Sequence, residues 1–231
     1  MRISGSTALV TGANRGLGRH FAQQLRERGA AKVYATARRP ELVDLPGVEV
    51  LRLDITDPAS VAAAAEAAPD VTLLVNNAGI STDTNLLTGD LESIRREMET
   101  HFYGTLHMVR AFAPVLAGGG AILNVLSALS WFSFDGTNAY GAAKAAEWSL
   151  TNGVRLELAG QKTLVTGLHL GAADTDMAAG YEGAKEDPAD VVRAALDGVE
   201  KGQLEVVADE WSAHVKASLS ADPALFYTQL A

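Results

Sequence analysis

The sequence predicts a doubly wound α/β fold, a parallel sheet of seven strands with helices packed on both faces. Two observations predict it. Seven short runs rich in leucine and β-branched residues recur along the 231 residues, and longer alanine-rich stretches of helical character separate them. Runs that are apolar almost throughout belong to strands covered on both faces, the condition of a parallel sheet. Regular alternation of strand and helix then gives the layer order. No linker, repeat or low-complexity stretch interrupts the chain, so residues 1–231 are read as a single domain, a length that one large α/β domain can fill.

The elements follow in order. "TALVTG" (7–12) is the first strand, and a helix over 16–29 follows, stopped by Gly29, as a C-terminal glycine does. "KVYATA" (32–37) and "VEVLRLD" (48–54) are the second and third strands. Asp57-Pro58 opens a helix over 58–67, with aspartate at the cap and proline in the first turn. "VTLLVN" (71–76) is the fourth strand, and one or two helices span 91–117 before the "GGG" of 118–120. "AILNVL" (121–126) precedes a helix over 138–159, and "TLVTGLHL" (163–170) is the sixth strand. Asp187-Pro188 opens a helix over 188–200, "LEVVA" (204–208) is the last strand, and 209–219 is helical. The loop 171–187 is long, and loops of that length in compact domains are often functional. The tail "ADPALFYTQLA" is short and aromatic, suited to closing over a site or meeting a neighbouring subunit.

Composition excludes several classes. There is no cysteine, which removes disulfides, thiolate metal sites and cysteine nucleophiles. The net charge is −9 and the isoelectric point about 5.0, which argues against a nucleic-acid binder. No run of transmembrane length occurs, and the N-terminus lacks the apolar core of a signal peptide. A soluble cytoplasmic protein is expected, with no membrane partner. His107, His169 and His214 have no partners at metal-ligand spacing, so they are read as structural and no metal is expected. No GxSxG nucleophile turn is present.

The chemistry gathers where strands end. "TGANRGLG" (11–18) lies between the first strand and the first helix. Gly12, Gly16 and Gly18 permit a tight turn and close backbone approach, and the helix start offers free N–H groups to a phosphate. The second strand ends in "YATARRP", where Arg38 and Arg39 follow Ala37 and no carboxylate is present. An acidic residue there would suit the free ribose 2′-hydroxyl of NAD, whereas a guanidinium pairs with a 2′-phosphate. NADP(H) is the expected cofactor, with Arg38 as its main phosphate partner and Arg15 turned toward the same neighbourhood. Asp54 closes the third strand, and Asn76, Asn77, Ala78 and Gly79 close the fourth. These can line a cofactor or simply form a turn. Tyr140 and Lys144 are spaced i, i+4 and so share a helical face.

Four motifs in this order, "TGANRGLG", "NNAG" (76–79), Ser127 and "YGAAK" (140–144), resemble those of the short-chain dehydrogenase/reductase family over residues 6 to about 180. The resemblance implies a single Rossmann-like domain and NAD(P)-dependent interconversion of a small-molecule carbonyl and its alcohol. It implies Tyr140 as acid/base, Lys144 holding the nicotinamide ribose and lowering the tyrosine pKa, and Ser127 orienting the reacting oxygen. Ser130 is a rival to Ser127, which keeps the family's spacing. The implied cofactor contacts are Gly12, Asn14, Arg15, Gly16, Leu17, Gly18, Arg38, Asp54, Ile55, Asn77, Ala78, Gly79, Tyr140, Lys144 and Thr175. A homodimer or homotetramer is implied too, through the 91–117 and 138–159 helices.

Two positions depart from the family. His101, in "THFYG", stands where an asparagine usually helps hold a proton-relay water, and histidine can donate and accept in the same role. Packing in the helix is the competing reading. Leu170 replaces a usual proline before Gly171, which leaves the rigidity of that turn and the Thr175 contact open. Trp131, Phe132 and Phe134 either line an apolar substrate pocket or pack in the core, and Met177 and Tyr181 are further substrate candidates. A non-catalytic dinucleotide sensor and an epimerase or dehydratase are the alternative functions on this fold.

Overall fold

The computed structural model describes residues 1–227; Thr228–Ala231, the end of the aromatic tail, lie outside the described residues. Seven strands form one sheet: β1 Thr7–Thr11, β2 Lys32–Ala37, β3 Glu49–Arg52, β4 Leu73–Asn76, β5 Ala121–Val125, β6 Leu164–His169 and β7 Glu205–Val207. Their order is β3-β2-β1-β4-β5-β6-β7, and every pairing is parallel. This is the doubly wound Rossmann-like fold expected. Strand order reverses between β1 and β4, which opens a ligand crevice at the carboxyl ends of these strands.

Helices cover both faces: α1 Gly16–Glu27, α2 Pro58–Ala67, α3 Leu91–Met98, α4 Thr105–Phe112, α5 Asn138–Glu157, α6 Pro188–Glu200, α7 Glu210–Ser218 and α8 Pro223–Tyr227. Side chains alternate across a strand, so β1 feeds two cores. Ala8 and Val10 join Phe21, Leu25, Val192 and Leu196 beneath α1 and α6. Leu9 joins Val61, Met108, Phe112 and Val154 beneath α2, α4 and α5. Both Asp-Pro helix starts form as their chemistry dictates. Asp57 accepts from the Ala59 N–H and Asp187 from the Ala189 N–H, each 2 residues on.

One element differs from the sequence expectation and another sharpens it. The run 48–54 yields a strand of four residues, three of them exposed, because β3 is an edge strand with one neighbour. Of the two alternatives for 91–117, two α-helices form, α3 and α4, joined by a π-helical turn, Glu99–Gly104, and the chain after Phe112 is turn. Such widenings cluster at functional sites, and this one carries His101.

The glycine turn shows why the first helix can begin where it does. Gly12 has φ +68° and Gly16 φ +51°, a region that side-chain-bearing residues rarely enter. A Cβ on Gly18 would lie 2.1 Å from the Gly12 carbonyl oxygen and 2.6 Å from Asn77 Nδ2. Neither neighbour is free to retreat, since Asn77 Nδ2 also donates to Thr11 O at 2.9 Å. Gly18→Ala is therefore expected to cost about 1–3 kcal/mol, as overpacking does, seen as a lower urea midpoint.

Candidate active site

The carboxyl ends of β1, β4, β5 and β6 bring the motifs together. Thr11, at the end of β1, clamps β1 to β4. Its Oγ1 donates to Val75 O at 3.3 Å and accepts the N–H groups of Asn77 and Ala78, each at 2.9 Å. The Asn77 side chain bridges back to Thr11 O, so its part here is to hold the glycine turn. Asn76 Nδ2 donates to Asn124 Oδ1, whose amide reaches Thr151, whose hydroxyl bonds the Glu147 carbonyl, at 2.9, 2.9 and 2.8 Å. That polar chain seats α5, and with it Tyr140 and Lys144, across the sheet.

Ser127 follows β5 and begins a short turn over Ala128–Ser130, its Oγ accepting from the Leu129 N–H at 3.1 Å. Ser130 Oγ is turned back to the Ser127 N–H at 3.4 Å, so the rival serine supports Ser127 from behind. Tyr140 lies in the first turn of α5, edge-on to the His101 ring with centroids 5.1 Å apart. Lys144 is buried, its Nζ 5.7 Å from the Tyr140 ring centre. It donates to Glu147 Oε2 at 2.7 Å and Val125 O at 2.8 Å. An ammonium has three donors, which leaves one for a ligand.

Burial pushes the Tyr140 phenol above its ordinary range; Lys144 pulls it down, Glu147 pushes it up, and a hydrogen bond with Ser127 lowers it. The expected net lowering by Lys144 is thus outweighed, because desolvation penalises the phenolate and Glu147 offsets the ammonium. Burial works to lower Lys144, but Glu147 and then Tyr140 raise it, and the net direction is upward.

The glycine turn is open to an anion. Arg15 caps α1 without a side-chain hydrogen bond, the first turn holds no acidic residue, and the first helical N–H groups have no backbone partner. Beyond β2, Arg38 and Arg39 are exposed. Asp54 is occupied by the Thr56 N–H at 3.0 Å and hydroxyl at 2.7 Å, beside buried Ile55. Thr175 packs against the turn: a Cβ on Gly16 would stand 3.4 Å from its Cγ2. Asn14 and Leu17 lie within the same turn, and Gly79 meets His101, whose Cε1 would stand 2.7 Å from an added Cβ. Arg15 departs from expectation. It pairs with Asp176 at 3.2 Å, in the loop after β6, and not with the region beyond β2.

A family model, short chain dehydrogenase, matches residues 6–186. The chain belongs to the short-chain dehydrogenase family. A short-chain dehydrogenase from Burkholderia cenocepacia J2315, solved in complex with NADP, superposes with a TM-score of 0.95 at 40% identity, covering 100% of this chain and 99% of that one. The Vibrio cholerae 3-oxoacyl-acyl-carrier-protein reductase is 35% identical over 77% of each chain. An NADPH-dependent 1-acyldihydroxyacetone phosphate reductase from Schizosaccharomyces pombe is 33% identical over 72% of this chain, a match spanning only 60% of that reductase.

For a short-chain dehydrogenase, the turn at Leu170-Gly171 is held in a different way. The Gly171 N–H donates to Asp209 Oδ2 at 2.7 Å, and Asp209 also caps α7. The loop 171–187 is pinned near its ends by an Ala173–Glu186 bridge. Trp131 stacks on His169 with centroids 3.8 Å apart, and Phe132 packs on Trp211 and Phe226, so these aromatics are packing residues. They line a cavity of about 160 Å³ with Val215, Leu219 and Phe226, apart from Ser127 and Tyr140. Phe134, Met177 and Tyr181 remain exposed. The tail lies on the loop after Ser127, the Ser133 N–H donating to the Tyr227 hydroxyl at 3.0 Å. No helix among the described residues is long and apolar enough to cross a membrane.

Two residues that the sequence reading passed over sit in this site, Glu97 and Glu147, 0% and 2% exposed. The signal was spacing: Tyr140, Lys144 and Glu147 share a helical face, as do Glu97 and His101. His169, which backs Ser127 through Nδ1 and Ser127 O at 3.2 Å, is lowered to about 4, chiefly by burial. Below an unfolded value of about 6.5 the unfolded chain takes up a proton that the folded one refuses. Stability therefore falls as pH drops from about 6.5 to 4, by on the order of 3 kcal/mol from this residue alone. In melts at pH 7.5 and 4.5, His169→Gln is expected to lose visibly less Tm than the wild type.

Proposed function

We propose that this protein is an NADP(H)-dependent oxidoreductase that interconverts a carbonyl and a primary or secondary alcohol by hydride transfer, with Tyr140 as acid/base. The observation that carries this reading is the convergence of Ser127, Tyr140 and Lys144, Ser127 hydrogen-bonded to the phenol and Lys144 next to its ring, at the carboxyl end of the same sheet from which the anion-ready glycine turn leaves β1. A sensor of dinucleotide would need the turn alone.

When bound, NADP(H) supplies the hydride, chemistry no side chain here can provide. The chain supplies position and proton traffic. The glycine turn and the start of α1 would hold the pyrophosphate, with Gly12, Asn14, Gly16, Leu17 and Gly18 around it. Arg38, free and exposed beyond a strand end without a carboxylate, would hold the 2′-phosphate. Asp54, Ile55, Asn77, Ala78 and Gly79 would line the adenosine half, and Thr175 the nicotinamide end. The spare Lys144 donor would take the nicotinamide ribose. Ser127 and Tyr140 would hold the substrate oxygen, and the phenol, kept protonated by burial, would donate to it during reduction. That the NADP-bound Burkholderia cenocepacia protein aligns over the whole chain supports the cofactor choice. One unit, residues 1–231, would carry both binding and catalysis. His101 would serve as the far partner of the lysine in proton exchange.

Two measurements test the reading. NADPH oxidation against a panel of aldehydes and ketones is expected to fall by roughly 10²-fold or more in Tyr140→Phe, the scale of general acid catalysis; turnover that survives this change removes Tyr140 from the chemistry. The NADPH-to-NADH preference in kcat/KM is expected to fall about tenfold or more in Arg38→Ala, as a charged hydrogen-bonded pair is lost. An unchanged ratio would mean that another group reads the 2′-phosphate.

A further inference from the structure

Four ionisable side chains are buried side by side beneath Tyr140: Glu97 on α3, His101 on the π-helical turn, and Lys144 and Glu147 on α5. Buried charges are costly unless paired, and these four form a continuous row. Lys144 Nζ donates to Glu147 Oε2 at 2.7 Å, and the other carboxylate oxygen accepts from Thr105 Oγ1 at 2.9 Å. His101 Nδ1 faces Glu147 Oε2 at 3.8 Å. Its Nε2 lies 2.9 Å from Ile80 O and 3.3 Å from Glu97 Oε2. Glu97 Oε1 accepts the N–H and hydroxyl of Thr82, at 2.6 and 2.9 Å. Two buried atoms in the row lack a hydrogen-bond partner, His101 Nδ1 and Glu97 Oε2. Each faces the next charged group. The gap at Nδ1 exceeds a hydrogen bond and is of a size that a bridging water or a small side-chain rotation closes.

Tyr140, edge-on to His101, is the fifth titratable group facing the row; the other neighbours, Ile80, Thr82, Thr105 and Val125, are neutral. Lys144 answers Glu147. Glu97 is otherwise touched only by the neutral donors of Thr82, so His101 is the cationic partner in contact with it. An imidazolium fits an ionised Glu97, and a neutral imidazole fits its acid form. His101 thus stands between the two carboxylates, Nε2 facing Glu97 and Nδ1 facing Glu147.

We propose that Glu147 and Glu97 belong to the acid/base machinery: Glu147 positions Lys144 and balances its charge, and Glu97, His101 and Glu147 form a buried proton bridge that recharges it. The proposal rests on the reading of Tyr140 as proton donor. The balance is one proton in for one delivered. A proton leaving Lys144 is replaced from His101 Nδ1 by way of Glu147, His101 is refilled at Nε2 from Glu97, and Glu97 exchanges with solvent past Thr82, which is only partly buried.

Glu147→Gln and Glu97→Gln test this, with two readouts. The first is the titration of Lys144, followed by NMR of its Cε in the protein without cofactor. Glu147 raises that group, so Glu147→Gln is expected to bring its titration down, and Glu147→Asp to restore most of it. The second is the pH profile of kcat in NADPH-dependent reduction. Both Gln variants are expected to lower kcat roughly tenfold to a hundredfold and shift the profile, with KM for NADPH within about twofold. An unmoved Lys144 titration in Glu147→Gln overturns the positioning role. An unmoved pH profile in Glu97→Gln, a change that leaves the Lys144 ion pair intact, overturns the bridge even if Glu147→Gln does not fold. If the wild type turns over no carbonyl, the functional reading fails, and the Lys144 titration still decides the role of Glu147.

Discussion

A lysine ammonium sits in the interior at 4% exposure, and most of the site follows from what is needed to keep it there. An isolated buried cation would neutralise or drag its helix outward. Lys144 does neither because Glu147, one turn along α5, meets it at 2.7 Å and the Val125 carbonyl meets it from the end of β5 at 2.8 Å. Burial of the charge thereby locks the helix face to the strand end. The same contacts fix Tyr140 one turn earlier, above Ser127. The placement of the proposed acid/base and the burial of the charge are one structural fact.

The sheet does the rest by topology. Parallel strands end together, so residues far apart in sequence meet at one edge without long loops. Asn76 and Asn124 are paired positions of β4 and β5, and their amides continue through Thr151 to the backbone of α5. A buried polar network whose members bond one another in sequence rigidifies and specifies a core. Here it prevents α5 from sliding along an otherwise greasy surface, where Leu150 and Val154 would accept several registers.

Much of this was legible in the sequence. Strand runs, the two Asp-Pro helix starts and the order of the motifs follow from local chemistry, and the glycines of the turn announced a close approach that the Gly18 geometry makes plain. Local patterns failed where tertiary context decided. "VEVLRLD" looked like a covered strand, but an edge position exposes most of it. Arg15 looked like a phosphate partner, but Asp176 arrives from a loop more than a hundred residues away. Between substrate pocket and packing, the two readings local pattern left open for Phe132, the Trp211 and Phe226 rings from α7 and α8 decide for packing. Glu147 escaped notice because a glutamate three residues after a lysine reads as an exposed helical pair; nothing local says that this face of α5 turns inward.

The departure at position 101 takes its meaning from those hidden carboxylates. With an asparagine there, one ammonium would serve two buried carboxylates, and Glu97 would have no cationic partner in contact with it. Histidine is a residue of similar reach that can carry a second positive charge and can also surrender it. The π-helical turn brings its ring between Glu97 and Glu147, and Gly79 leaves the room the ring needs, since any Cβ there would stand 2.7 Å from Cε1. Glu97, His101, Glu147 and Gly79 thus make sense as a set and not one by one. A histidine placed alone at this position would be an odd substitution; placed with two carboxylates and a glycine, it completes a row of two negative and two potentially positive groups.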